Sequence, residues 1–258
     1  MLSSLLILFM LNSVVQALKC PSCELQLKIG ESIPSSSSLP DECEISENEI
    51  ALCKLFLSID YSTDHVYVWW SPISNSIVEE QSDLLELPLP LKQNQKSITK
   101  YQFDYRFKPN EAFYMGAVVY CHLSDLCIID ETQTLVTRLY SLKQISSKIR
   151  QELEPYVLRS STSPSTIKCF HSFSDRVIDC GNINESACFI GIRPMTTEIA
   201  AGCTGDYDQL FVSVSFHVAN SQASKGTCGI HCNRDQCNTM KAHRKLIQIA
   251  RKYILGTN

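Results

Sequence analysis

Thirteen cysteines and six histidines carry most of the chemistry open to this chain. Such residues serve metal ligation, thiol redox work, catalysis or disulfide bonding. Cys20-Pro-Ser-Cys23 has the C-x-x-C spacing of zinc and redox pairs. No second ligand pair at zinc spacing accompanies it, and no strand–helix–strand pattern surrounds it. Cys228, His231, Cys232 and Cys237 lie within ten residues and could in principle hold a metal. In an oxidising compartment thiols so placed are expected to form disulfides, so no metal and no cofactor is expected. The histidines at 65, 122, 171, 217, 231 and 243 stand outside any G-x-S-x-G or H-E-x-x-H pattern. No catalytic residue is assigned, and a non-enzymatic protein is expected.

The elements that position these residues follow from composition. The first 17 residues, MLSSLLILFMLNSVVQA, have a short apolar core and end in Val15-Gln16-Ala17, a small-residue cleavage pattern. They predict a signal peptide, a secreted extracellular chain and a mature start at Leu18. The run is short for a bilayer span, and the C-terminus is basic and amphipathic, so no membrane anchor is expected. A net charge of −4 offers no global basic field for nucleic acid. The chain is long enough for two ordinary domains. The segments expected are a signal peptide (1–17), a first cysteine-rich β module (18–128), an amphipathic helix (130–155), a Ser/Thr/Pro linker (156–166), a second cysteine-rich module (167–238) and a basic amphipathic C-terminal helix (239–258).

Short β-branched and aromatic runs predict strands at 54–59, 65–70, 101–107, 117–120, 189–192 and 210–218. Asp60 to Asp64 reads as a hairpin loop. Residues 71–100, with three prolines and several acids, read as a long exposed loop. Asp130 with Gln133 resembles a capping box. Leu135, Leu139, Leu142, Ile145, Ile149 and Leu153 then share one helical face, and Pro155 ends the pattern. Met240, Leu246, Ile247, Ala250, Tyr253 and Ile254 form a second stripe opposite Lys241, Arg244, Lys245, Arg251 and Lys252. Cysteine module plus amphipathic helix therefore occurs twice.

Three features of the second module belong together: Cys188-Phe189, Gly202-Cys203, and the closing loop Cys232-Asn233-Arg234-Asp235-Gln236-Cys237 followed by Asn238. This pattern resembles the three-finger domain of the snake-toxin, lymphocyte-antigen and urokinase-receptor superfamily. The expected fold class is mostly β with added helices, as two disulfide-rich three-finger-like β modules each followed by an amphipathic α-helix. The resemblance implies the pairs Cys169–Cys188, Cys180–Cys203 and Cys232–Cys237, with Cys228 unpaired. Spacing alone would not choose among the connectivities. In the family, the Asn after the last cysteine ties the chain end to the first strands, a role carried here to Asn238. The first module echoes the pattern at Cys121-His122-Leu123-Ser124-Asp125-Leu126-Cys127, one residue longer and with Ile128 in the Asn position. By analogy it pairs Cys20–Cys53, Cys23–Cys43 and Cys121–Cys127. Asp125 and Asp235, each two before the last cysteine, are structural candidates.

Other residues are singled out on their own. Cys228 is either buried and inert or bridges two chains in a covalent homodimer, and its Gly-flanked position suggests partial exposure. Asn184-Glu185-Ser186 is a glycosylation sequon. Trp69 and Trp70 are adjacent, so on a strand they face opposite sides. Either could be the core residue and the other a partner contact at a finger, so both stand as contact candidates, beside the alternative that the two are halves of a small sandwich core. The basic helix is either a solvated face or a site for polyanions or anionic lipid. The expected function is a secreted binding protein presenting finger loops to an extracellular protein: a receptor, a channel or a secreted enzyme. The alternative is a matrix component cross-linked through Cys228, with a secreted hydrolase third.

Overall fold

A computed structural model of the chain describes residues 18–47, 50–74, 97–108, 110–122, 124–159, 165–192, 199–219, 222–223 and 226–256. The expected signal peptide, most of the 71–100 loop and the linker residues 160–164 lie outside them.

The first half contributes strands β1 (Cys20–Lys28), β2 (Glu44–Ser46), β3 (Ile50–Asp60), β4 (His65–Ser74), β5 (Ser97–Arg106) and β6 (Ala112–Cys121). Helix α1 (Cys127–Tyr140), a 3-10 turn (Ser141–Ile145) and helix α2 (Ser146–Val157) follow. The second half contributes β7 (Thr166–His171), β8 (Arg176–Asn182), β9 (Ala187–Ile192), β10 (Ile199–Thr204), β11 (Phe211–Ala219), β12 (Gln222–Ala223), β13 (Thr227–Cys232) and helix α3 (Met240–Leu255).

Period-two alternation sorts these strands into a covered and an open face. Leu55, Leu57 and Ile59 of β3, Val66, Val68 and Trp70 of β4, Phe103 and Tyr105 of β5, and Met115, Ala117 and Val119 of β6 are buried. So are Val212, Val214 and Phe216 of β11. The helices supply the opposing layer through Ile128, Ile129, Leu139, Ile149, Leu153, Leu246, Ala250 and Ile254. Each buried Val, Leu, Ile, Phe or Met among them stabilises the fold by about 1.5–3 kcal/mol as it leaves water.

The two halves share one antiparallel sheet, in the order β10-β9-β13-β11-β5-β6-β3-β4-β1-β2. Its seam is the β5–β11 pair, running from Phe211 opposite Arg106 to Ala219 opposite Ile98. Reading outward, β11-β13-β9-β10 mirrors β5-β6-β3-β4. Tyr120, just before Cys121, lies opposite Ile98, and His231, just before Cys232, lies opposite Phe211. Ile98 and Phe211 thus hold matching places. Gln102 and Ser215, four residues beyond each, face one another across the seam. The arrangement is that of an isologous contact built into one chain.

The helices differ in detail from the sequence reading. The first begins at Cys127 rather than Asp130, with Leu126 in a left-handed conformation at its start and no side-chain cap. The Cys121–Cys127 disulfide fixes that entry point, so no capping box is needed. The helix expected as one piece over 130–155 is two, α1 and α2, joined by the 3-10 turn, and α2 runs through Pro155 to Val157. Pro155 sits in the last turn, where removing one N–H leaves most of the ladder intact, and the fully buried Val157 holds the end down. The first linker residues are tied as well. Asn233 N–H donates to the Val157 carbonyl (2.9 Å), and Arg159 N–H donates to Asn233 Oδ1 (3.0 Å). In α3, Thr239 caps the start by accepting from Ala242 N–H (3.4 Å). Gly256, at φ 66°, ends it in the left-handed region that glycine enters without strain. Met240 points outward instead of joining the apolar stripe. Among the described residues, no helix is long and apolar enough to cross a membrane.

Candidate functional site

Six disulfides form: Cys20–Cys53, Cys23–Cys43, Cys121–Cys127, Cys169–Cys188, Cys180–Cys203 and Cys232–Cys237. These are the pairs implied by the resemblance, and their number fits an extracellular, oxidising setting. The sulfurs of Cys53, Cys121 and Cys127 lie within 4.8 Å of one another, so two bridges stack in the first half. Cys169, Cys180 and Cys203 stack two bridges likewise in the second. Both groups are disulfide sulfurs, which leaves them no thiolate for a metal. The Cys228, His231, Cys232 and Cys237 grouping loses two of its four members to a disulfide in the same way.

The closing loops clamp the chain in one shared manner. Lys19 N–H donates to Asp125 Oδ1 (3.0 Å), and Leu126 N–H returns a bond to the Lys19 carbonyl (2.9 Å). In the second half, Lys168 N–H donates to Asp235 Oδ1 (2.9 Å), and Gln236 N–H donates to the Lys168 carbonyl (2.7 Å). Leu126 and Gln236, at φ 56° and 53°, take the same left-handed turn to do so. The Leu-Lys-Cys and Ile-Lys-Cys echo in the sequence marks the clamped residues. Their role is legible only once the loop is folded against them.

Asn238 is fully buried. Its Oδ1 accepts from Phe170 N–H (2.9 Å). Its Nδ2 donates to the carbonyls of Phe170 (2.7 Å), Phe189 (2.9 Å) and Gly202 (3.4 Å). One side chain thereby ties β7, β9 and β10 together.

Cys228 is 2% exposed, which corrects the expectation of partial exposure. It alternates inward on β13 between Thr227 and Gly229. The flanking glycine does not open the site, because the pleat decides which way the side chain faces. Burial pushes the thiol well above its ordinary range, so it holds little nucleophilic thiolate.

The tryptophans divide between the two faces. Trp70 is fully buried and donates from Nε1 to Thr132 Oγ1 of α1 (2.9 Å). Thr132 in turn donates to the Ile128 carbonyl (2.6 Å). Trp70 is therefore a packing residue, which corrects its place among the contact candidates. Trp69 is 46% exposed on the open face. Opposite it on β3 stands Phe56, and the next pair along is Tyr67 opposite Ser58. Phe56 and Tyr67 are 41% and 46% exposed, and the Lys54 ammonium lies 5.8 Å from the Trp69 ring centroid. Phe56 and Tyr67 escape a reading of the sequence alone. Finding them needs the β3–β4 register, which the turn around Asp60 sets: its carboxylate accepts from Ser62 N–H (2.9 Å) and Thr63 Oγ1 (2.8 Å).

The histidines are scattered. His171 Nδ1 meets Ser174 Oγ at 3.0 Å, but Ser174 N–H also points at that nitrogen (3.3 Å), as part of the β7–β8 turn. Among the described residues no carboxylate orients the ring, as a general base would need. His231 stacks on Phe211 at 4.5 Å. Asn184 is exposed in the β8–β9 turn, where its N–H donates to Asn182 Oδ1 (3.0 Å). Neither protein-family models nor curated protein sequences match the chain.

Proposed function

We propose that this is a secreted, non-enzymatic binding protein of two tandem three-finger-like modules that engages an extracellular protein partner. The observation that carries the reading is the exposed group of Phe56, Tyr67 and Trp69 on the open face of the β3–β4 hairpin. Aromatic anchors dominate protein interfaces. Here they stand on a hairpin whose β3 is bridged by Cys20–Cys53 and whose β4 pairs with β1, so binding orders little that is not already ordered. The duplicated Asp clamps, the mirrored strand order and the buried Asn after the last cysteine support the three-finger assignment. In this reading Asn184, exposed in its turn, carries a glycan. The matrix alternative rests on Cys228 as a cross-link, and the burial of that thiol weighs against it.

The test is display of the full secreted chain against an array of extracellular domains, beside Trp69→Ala and Phe56→Ala variants. The reading predicts saturable binding to one partner that either substitution weakens by about tenfold or more, with unchanged thermal unfolding. Binding that survives both substitutions would sink the assignment of this face.

A further inference from the structure

The helix side of the second half carries a feature that the aromatic face does not explain. A trough of about 710 Å³ runs along α3, bounded by Pro155 and Tyr156 at the end of α2 and floored by the Cys232–Cys237 loop. A second hollow of about 530 Å³ continues it, sharing Pro155, Arg234 and Asp235 and reaching Arg159.

Its walls are cationic. Lys241, Arg244 and Lys245 form one ridge of α3 at helical spacing. Arg234 stands on the closing loop and Arg159 at the far end. All five are exposed. Among the described residues none is paired with a carboxylate, whereas Lys143, Arg150 and Lys252 are each held in an ion pair. Two carboxylates, Asp235 and Glu154, also line the hollows and keep their charge, so the cations outnumber the anions five to two. Asp235 accepts the Lys168 N–H, and Glu154 lies 3.6 Å from Arg150. In a chain of net charge −4, five unpaired cations along one trough form a strong local field.

We infer that this trough binds a linear polyanion, namely a sulfated polysaccharide chain of the heparin type. Two observations favour a polymer over a lipid surface. The cations line a concave, elongated channel rather than a flat or convex patch. Among the described residues Met240 is the one large apolar side chain that projects from α3, short of the row of Trp, Phe or Leu that seats an interfacial helix in acyl chains. The floor is fixed by the Cys232–Cys237 bridge and by the Asn233 contacts to the end of α2, so the charged heads are presented without ordering a loop.

The experiment titrates a heparin oligosaccharide of defined length into the full secreted chain across a series of salt concentrations. Saturable binding that weakens steeply with salt is expected, because each cation engaged releases counterions. The combined Lys241→Ala, Arg244→Ala and Lys245→Ala variant should bind ~10-fold or more weakly. Trp69→Ala should bind as the wild type does, so loss of the protein-partner reading would leave this one standing. A second measurement needs no variant: bound heparin should slow acetylation of Lys241 and Lys245 but not of Lys28. Equal binding of fully desulfated heparin, equal binding by the triple variant, or binding to phosphatidylserine vesicles with none to heparin would each overturn the proposal.

Discussion

In the first half of the chain the closing loop ends at Cys127, and Ile128 enters a helix at once. In the second, Asn238 intervenes and spends its whole side chain on three strands before Thr239 starts a helix. Both loops clamp the residue before the first cysteine through an Asp and a left-handed turn. They differ in what fastens the end of the module. The second half uses one buried amide with four partners. The first half has Ile there and fastens its helix from the other side, through Trp70 to Thr132 and the buried Ile128 and Ile129. A polar knot and an apolar dock thus solve the same problem. The knot fails as a unit when its centre is removed, because each orphaned backbone group then sits unsatisfied.

The sharpest way to break this comparison is Asn238→Ala. It leaves the Phe170 N–H and the carbonyls of Phe170 and Phe189 without their partner, and a loss of about 3–5 kcal/mol is expected in chemical denaturation. A loss below about 1 kcal/mol would mean that water replaces the amide and that no knot exists.

The apolar dock is probed by Trp70→Phe. It shrinks a fully buried side chain and removes the Thr132 partner, for an expected cost of about 2 kcal/mol. Trp69→Phe on the open face should stay within about 0.5 kcal/mol. Similar costs at the two positions would erase the distinction between the faces.

The shared clamp predicts near equality. Asp125→Ala and Asp235→Ala each free one solvent-accessible N–H, and each should cost about 1 kcal/mol. A large difference between them would show that the two loops only look alike.

The smallest expected effect is one of pH. His243 in α3 has both ring nitrogens buried without partners, and burial, aided by the Arg244 charge, holds its pKa below the ordinary value of 6.5. The unfolded chain then takes up the proton more readily than the folded one. Stability from this group is complete above pH 6.5 and is lost as pH falls from there toward the lowered folded value. α1 carries no histidine. Amide exchange should therefore accelerate in α3 before α1 on moving from neutral to mildly acidic pH, and His243→Leu should remove the difference. Parallel acceleration of both helices would contradict this.

Much of the fold was legible because it rests on local pattern. Alternation along Tyr101 to Phe107 and Phe211 to Val218 marks core strands, and the leucine and isoleucine spacing marks the helical segments but not the 3-10 turn that divides the first into α1 and α2. Strands β1, β2, β7, β8, β10, β12 and β13 lie outside the strands that the pattern predicts. They are short or broken by Pro, Gly and Cys, and they owe their form to pairing and to bridges rather than to propensity. Trp69 was separable from Trp70 in principle, since neighbours on a strand face apart. Which of the two faced out was not, because that depends on where α1 packs.

The chain order of its cysteines, its two Asp-containing loops and its amphipathic stripes were determined by the sequence alone, since each is a matter of residue type and spacing. Tertiary structure decided the rest. It buried Cys228, because the direction of a side chain on β13 is set by register with β9 and β11. It gathered Phe56, Tyr67 and Trp69 through the register of a hairpin. It also joined the halves along β5 and β11, a pairing of backbone groups that reads no side-chain code and exists only where two strand edges meet.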